Sequence, residues 1–183
     1  RAVTANTERA DVQYKFYLLD SPIVNAFALP GGYIYLTRGL LALSNNEAEM
    51  AAVLGHEAGH ITGRHSAERY SRGVVTSLGA SVLAAAIDKG GVSQLLGLGS
   101  QLYLSSYSRS QENEADTLGI RYLSNANYDA AAMTAFLQNM QNWGALEDRL
   151  NNRKNAGNSY FSTHPPTSER VSKTSQEVAQ ITT

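Results

Sequence analysis

The segment His56-Glu57-Ala58-Gly59-His60 carries residue types, at a spacing, that can build a catalytic zinc site. Residues four apart lie on the same face of an α-helix, so the imidazoles of His56 and His60 can bind one metal ion from the same side. Glu57 is turned about 100° from His56 around such a helix, which leaves its carboxylate within reach of a water molecule on that ion. Because a carboxylate placed there can act as a general base, the segment predicts a zinc-dependent endopeptidase.

Two histidines do not complete such a site, because catalytic zinc usually has three protein ligands and one open position. The chain contains no cysteine and four histidines in all, so the third ligand must be an imidazole or a carboxylate. His65 follows His60 by five residues, which turns it about 140° away from the ligand face of a continuous helix. We therefore expect His65 to face solvent near the C-terminus of that helix.

A group of carboxylates downstream offers the remaining candidates, Glu112, Glu114 and Asp116. Glu112 and Asp116 are four residues apart and share a helix face, whereas Glu114 points away. Glu112 can therefore be a metal ligand, and Asp116 can accept a hydrogen bond from the outer nitrogen of a ligand histidine. The alternative interpretation is a solvated acidic face, since charged side chains usually remain in water.

Short stretches of alternating β-branched and aromatic residues precede the histidine motif. They predict strands at residues 14–18, 23–29 and 33–36. Turn residues separate these strands, including Pro30-Gly31-Gly32 between the second and the third. A small antiparallel or mixed sheet is therefore expected ahead of the motif.

Two capping signals predict the helices that carry the candidate ligands. Ser44-Asn45-Asn46-Glu47 has the S-x-x-E pattern of a capping box and predicts a helix over residues 45–70, which includes the histidine motif. Ser108-Arg109-Ser110-Gln111 has the related S-x-x-Q pattern and predicts a helix over residues 109–124.

Three glycines, Gly55, Gly59 and Gly63, recur every four residues along the first of these helices. Each glycine should cost about 1 kcal/mol of helix stability relative to alanine. Their register therefore predicts that another backbone passes very close to this helix face.

Two apolar segments, residues 74–87 and 92–104, flank the turn sequence Asp88-Lys89-Gly90-Gly91. They predict a helical hairpin that covers the core. The alternative is a mobile flap over the active site or against a membrane surface. Neither segment reaches the roughly 18 apolar residues that span a bilayer, so we expect no transmembrane segment and allow only peripheral membrane contact.

Length and charge narrow the function classes further. A chain of 183 residues suits a single catalytic domain, here residues 1–183. The formal net charge is −1, from 15 basic and 16 acidic residues, so a nucleic-acid partner is not expected. The chain begins at Arg1 rather than Met, which suggests processing or excision.

Taken together, four motifs resemble the zinc metalloprotease family of the CAAX prenyl protease, HtpX, the Oma-type mitochondrial protease and BepA, which is of the gluzincin type. The motifs occur in the family's order and span nearly the whole chain. They are Asn25-Ala26-Phe27-Ala28-Leu29-Pro30-Gly31-Gly32, the segment from His56 to His60, the segment from Ser108 to Asp116, and His164-Pro165-Pro166 followed by Glu169-Arg170.

The resemblance implies a zincin-like α+β fold, mostly helical, with the motif helix under a small sheet. It implies one zinc ion per chain, held by His56, His60 and Glu112. Glu57 would be the general base, and Asp116 would orient a ligand histidine.

The resemblance also implies how a protein or peptide substrate would bind. The substrate would lie extended along a strand edge formed by Asn25, Ala26, Gly32, Tyr33 and Ile34. His164 and Arg170 would contact the substrate or the developing oxyanion. The residues themselves leave other interpretations open: His164 could be a structural loop residue, and Arg170 could pair with a carboxylate.

By the same resemblance we expect an endopeptidase that acts on extended or misfolded proteins in the bacterial periplasm or cell envelope, as part of protein quality control. One alternative is a chaperone-like zinc-binding module without turnover. A second is a latent peptidase, in which His164 binds the metal as a fourth ligand and keeps the site closed.

Overall fold

The computed structural model describes residues 2–69, 71, 106–151 and 160–181. The described part confirms the expected α+β class: mostly helical, with one small sheet. In chain order the elements are a 3₁₀ turn (Ala2–Thr4), strands β1 (Lys15–Leu19), β2 (Ala26–Leu29) and β3 (Tyr33–Thr37), and helices α1 (Arg38–Leu43), α2 (Glu47–Thr62), α3 (Arg109–Asn125), α4 (Ala131–Asn151), α5 (Tyr160–Thr163) and α6 (Ser168–Ile181).

The sheet is mixed, with strand order β1-β3-β2. β2 and β3 form the expected antiparallel hairpin, whereas β1 runs parallel to β3. Gly31 and Gly32 close the hairpin at φ +92° and +93°, a region that suits glycine. A Cβ on Gly32 would also lie 2.6 Å from the carbonyl oxygen of Gln13, so the tight approach of the chain before β1 requires glycine there.

Helix α2 begins two residues later than the predicted capping box. Asn46 is the N-cap, and its side-chain oxygen accepts a 2.9 Å hydrogen bond from the backbone N–H of Glu49. The Glu49 carboxylate in turn accepts from the backbone N–H of Asn45 at 3.0 Å. The predicted box of Ser44 and Glu47 is therefore not formed, and Asn46 caps the helix instead, because an asparagine caps as well as a serine.

The helix over residues 45–70 is not continuous, contrary to the prediction. α2 ends at Thr62, Gly63 is its C-cap, and Arg64 adopts φ +57°. Helical structure then resumes at residues 65–69. This break redirects His65, with consequences for the metal site.

The glycine stripe confirms a close helix contact at two of its three positions. A Cβ on Gly59 would lie 2.9 Å from the carbonyl oxygen of Ala115, and one on Gly55 would lie 3.3 Å from that of Gly119. Both contacts are to the backbone of α3. The capping box at Ser108 is also confirmed, and it starts α3 at the predicted residue. The metal-ligand candidates on α2 and α3 therefore lie on adjacent helices.

Two groups of buried side chains hold this arrangement together. One lies between the sheet, α2 and α3 and includes Ile34, Ala52 and Ile120. The other lies between α1, α2 and α4 and includes Val53 and Phe136. Within the described ranges, no helix is both long and apolar enough to cross a membrane. The predicted hairpin of residues 74–104 lies outside the described residues.

Candidate active site

The face of α2 that packs toward α3 presents His56 and His60 side by side, as their spacing predicts. Their Nε2 atoms lie 3.0 Å apart. From α3, Glu112 directs its carboxylate at the same point. Its Oε2 is 3.5 Å from Nε2 of His56, and its Oε1 is 3.4 Å from Nε2 of His60. All three side chains are at least 98 % buried.

These three residues fit a zinc ion. Ligand bonds of about 2.0–2.2 Å in a tetrahedral site would separate the ligand atoms by roughly 3.3–3.6 Å. The observed separations of 3.0, 3.4 and 3.5 Å are close to that range. Two imidazoles and one carboxylate are also a donor set that zinc accepts in catalytic sites.

His164 lies at the same group, which the residues alone did not establish. Its Nδ1 is 2.9 Å from Oε1 of Glu112 and 3.3 Å from Nε2 of His56. Ligand atoms of His56, His60, Glu112 and His164 all lie within 4.8 Å of one another. The backbone N–H of His164 donates to the carbonyl of Tyr160 at 2.8 Å, which fixes the loop after α5. The site therefore offers four candidate ligands.

Asp116 takes the position expected of it. Its Oδ1 accepts a 2.8 Å hydrogen bond from Nδ1 of His56, which leaves Nε2 of that histidine for a metal. Burial alone would raise the pKa of the Asp116 carboxyl, but the hydrogen bonds from Arg170 and His56 hold it below its ordinary value. Asp116 is therefore an ionised acceptor at neutral pH.

Arg170 contacts the carboxylates beside the metal-ligand group. Its Nε and Nη2 donate to the two oxygens of Asp116, each at 2.7 Å. Its Nη1 lies 2.7 Å from Oε2 of Glu112 and donates to the carbonyl of Pro165 at 3.1 Å. This buried guanidinium pairs with carboxylates, which is the alternative that the sequence left open. It positions Glu112, Asp116 and the loop that carries His164.

Among the described carboxylates at the site, Glu57 is the one with no hydrogen bond to either oxygen. It is fully buried, and within the described part of the chain neither of its oxygens has a hydrogen-bond partner. Its Oε1 is 3.6 Å from Nε2 of His164. Burial raises the pKa of the Glu57 carboxyl. Because buried polar groups are nearly always hydrogen-bonded, this arrangement indicates a group that meets a water molecule or a substrate.

Two residues at the site were missed by sequence reasoning. The prediction that His65 faces solvent is wrong: it is 1 % exposed, and its Nδ1 is 2.8 Å from Nδ1 of His60. The backbone break at Arg64 turns it inward. Burial lowers the pKa of His65, so it is neutral near pH 7. Tyr107 stacks on the His60 ring with centroids 3.8 Å apart, and burial raises its pKa to about 12. Only its position next to the Ser108 cap could have indicated it.

The predicted substrate edge also needs correction. β3 lies between β1 and β2, so Gly32, Tyr33 and Ile34 do not form a free edge. Hydrogen bonding to both neighbours occupies the backbone of the middle strand. The edge near the site belongs to β2, which begins at Ala26, directly after Asn25.

A cavity of about 190 Å³ lies between the β2 edge and the metal-ligand group. Its walls combine side chains from β2 with side chains around the site. They are Asn25, Phe27, Ala28, Arg69, Tyr107, Thr163 and His164.

Residues 1–178 match the sequence model of peptidase family M48. The chain belongs to peptidase family M48. This confirms the resemblance drawn from the four motifs, and with it the metalloprotease class.

Two groups of similar proteins agree with this family. The beta-barrel assembly-enhancing protease of Yersinia pestis is 35 % identical over 147 residues, which cover 75 % of this chain and 30 % of that protein. The mitochondrial metalloendopeptidase OMA1 of Schizosaccharomyces pombe is 30 % identical over 175 residues, which cover 94 % of this chain and 49 % of that protein. The chain thus spans half or less of the length of these relatives.

Proposed function

We propose that this M48 chain is a zinc-dependent endopeptidase that hydrolyses extended or misfolded proteins. The observation that carries the proposal is the buried carboxylate of Glu57, which has no hydrogen bond within the described part of the chain, beside the convergent ligand atoms of His56, His60 and Glu112. A purely structural metal site has no need of such a carboxylate, because its cost in buried charge brings no stability.

Zinc is the metal that this donor set favours, since two imidazoles and a carboxylate match the ligands of catalytic zinc. When bound, zinc would polarise the scissile carbonyl and make a water molecule acidic enough to attack near neutral pH.

Glu57 supplies the proton transfers. As a general base it takes a proton from the attacking water, and it then returns the proton to the leaving amine. Burial raises the pKa of the Glu57 carboxyl, which makes its ionised form a stronger proton acceptor than an ordinary carboxylate and so favours the first of these steps.

The β2 edge is the proposed binding surface for substrate. An extended peptide adds to such an edge through main-chain hydrogen bonds, which are largely independent of sequence. Phe27 on β2 and Tyr107 at the site line the adjoining cavity and could accommodate one substrate side chain. The proposed substrates are therefore extended segments of unfolded or partly assembled proteins.

A latent resting state is a second candidate, and a specific observation favours it. Nδ1 of His164 lies 2.9 Å from Oε1 of Glu112, so His164 can act as a fourth protein ligand in the position that a water molecule needs. If His164 closes the site, His164→Ala should raise the rate of peptide hydrolysis. A fall in rate would instead assign His164 to stabilising the oxyanion.

We also propose a role in protein quality control at a bacterial cell envelope. The support is the similarity to proteins named beta-barrel assembly-enhancing proteases, which reach 35 % identity. The mitochondrial relatives cover more of this chain, so subcellular fractionation of the natural source is the direct test.

Three proteins test the proposed activity: the wild type, Glu57→Gln and Glu112→Ala. We expect about one zinc per chain in the wild type and in Glu57→Gln, and loss of zinc in Glu112→Ala. Hydrolysis of an unfolded casein should fall by about 10²–10⁴-fold in Glu57→Gln.

Full zinc retention in Glu112→Ala would refute the three-ligand assignment. The chaperone-like module would be favoured if the zinc-loaded wild type cleaves no unfolded protein and binds it with the same affinity as Glu57→Gln.

A further inference from the structure

We propose that His65 is a positioning residue for the metal ligand His60, whose Nδ1–H it accepts. Glu114 holds the far nitrogen of His65, so that His60, His65 and Glu114 form a chain of hydrogen bonds leading away from the metal. This inference rests on the proposed zinc site and adds to it a second orienting contact, besides the one that Asp116 makes with His56.

The donor and acceptor in each of these hydrogen bonds follow from where the imidazole protons must lie. Nε2 of His60 faces the ligand group, 3.4 Å from Oε1 of Glu112, so its lone pair must be free for a metal and its proton must sit on Nδ1. That Nδ1 is 2.8 Å from Nδ1 of His65, which can only be the acceptor. The proton of His65 is then on Nε2, which is 3.4 Å from Oε2 of Glu114.

The local backbone is shaped to bring His65 to this position. On an unbroken helix, a residue five positions after His60 would point away from it. The turn at Gly63 and Arg64, with Arg64 at φ +57°, reverses this. A Cβ on Gly63 would overlap the imidazole of His65, so glycine is required for the ring to fit. The third glycine of the stripe therefore admits a side chain rather than a neighbouring helix.

Tyr107 covers the contact between His60 and His65. Its ring stacks on His60 at 3.8 Å between centroids, and it lies 6.2 Å from the ring of His65. Its hydroxyl is 2.9 Å from Oγ of Ser66, the residue after His65. The contact between the two imidazoles is thus shielded from water, which would otherwise compete for the Nδ1–H of His60.

The two ligand histidines are oriented by different chemistry. His56 donates to the carboxylate of Asp116, which Arg170 holds from behind. His60 donates to an imidazole whose carboxylate partner, Glu114, has a side chain 57 % exposed. Because water screens an exposed charge, the contribution of His65 is mainly geometric: it fixes the tautomer and the ring plane of His60.

The first experiment measures zinc affinity by competition with a chelator, for the wild type, His65→Leu and His65→Gln. We expect His65→Leu to weaken zinc binding by about 10–100-fold, the usual effect of losing an orienting partner. His65→Gln should recover most of the loss, because its amide oxygen can accept the Nδ1–H of His60. Met133→Leu, a buried substitution of similar volume near α3, controls for a general disturbance of packing.

Two outcomes would overturn the proposal. One is a His65→Leu variant that binds zinc within about twofold of the wild type, well below the expected effect. The other is equal weakening in His65→Leu and His65→Gln, which would show that only side-chain volume matters. Either result leaves the peptidase function intact, whereas a zinc-bound wild type without turnover would refute the function and not this contact.

A second measurement needs no variant and applies even if His65→Leu does not fold. Long-range proton–nitrogen NMR spectra of the zinc-loaded wild type report the tautomer of each imidazole. We expect the proton of His60 on Nδ1 and that of His65 on Nε2. A His65 that carries its proton on Nδ1 could not accept from His60 and would refute the assignment.

Discussion

Replacement of Arg170 by methionine should destabilise the metal-free domain more than any surface substitution. The guanidinium is 4 % exposed, forms two 2.7 Å hydrogen bonds to Asp116, and lies 2.7 Å from Glu112. Methionine fills much of the same volume but leaves both buried carboxylates without their cation. The fold would then hold two like charges on one face of α3 with no counter-charge from α6.

The expected magnitude follows from that loss. Removing one partner of a buried ion pair typically costs about 3–5 kcal/mol, because the remaining charge stays desolvated. Two carboxylates are affected here, so we expect the upper part of that range in the absence of metal. Zinc should restore part of the stability, because the ion would neutralise Glu112 but not Asp116.

Urea unfolding, followed by circular dichroism with and without zinc, measures this effect. The double variant Arg170→Met/Asp116→Asn should be less destabilised than the sum of its single variants, by about 1–3 kcal/mol, because the two residues interact directly. The matched control is Arg121→Met, which removes an arginine from a pair with Glu8 that is about half exposed, and it should cost at most about 1 kcal/mol. An Arg170→Met variant no less stable than this control would refute the argument that the guanidinium holds the two carboxylates.

Two further predictions concern pH and packing. Burial alone would raise the pKa of both Glu112 and Asp116, but contacts with His164 hold the pKa of Glu112 below its ordinary value, and contacts with Arg170 do the same for Asp116. At these two carboxyls the folded metal-free domain therefore binds fewer protons than the unfolded chain. The stability from these carboxyls should be fully present above about pH 5 and lost as pH falls through their folded pKa; urea midpoints that do not change between pH 6 and pH 3 would contradict this. Gly59→Ala should lower the free energy of unfolding by about 1–3 kcal/mol, because its Cβ would lie 2.9 Å from the carbonyl oxygen of Ala115. Gly55→Ala should lower it less in the same assay, because its Cβ would lie 3.3 Å from the nearest backbone oxygen. Equal losses of stability would refute the packing argument.

Local patterns predicted the starts of several elements and the residues that converge as candidate ligands. The i, i+4 spacing of His56 and His60 places both imidazoles on one helix face by helix geometry alone. The Ser108 capping box starts α3 at Arg109 because it satisfies backbone donors within the same few residues. Gly55 and Gly59 indicated a close backbone because residues without a Cβ let another chain approach the helix, and the structure shows that this chain is α3.

Contacts between distant elements were decided only in three dimensions. β1 runs parallel to β3, and β3 lies in the middle of the sheet, because alternating residues define a strand but not its partners. Arg170 pairs with Asp116 across 54 positions of sequence, a contact that no local pattern contains. His65 reaches His60 because one residue, Arg64, takes a positive φ that helical periodicity does not predict. The sequence alone therefore determined which helices carry the ligands and which residues could bind a metal, since these depend on spacing within one element. The tertiary structure decided how the candidate ligands are oriented and shielded from solvent, since both depend on backbone turns and on charges brought together from separate elements.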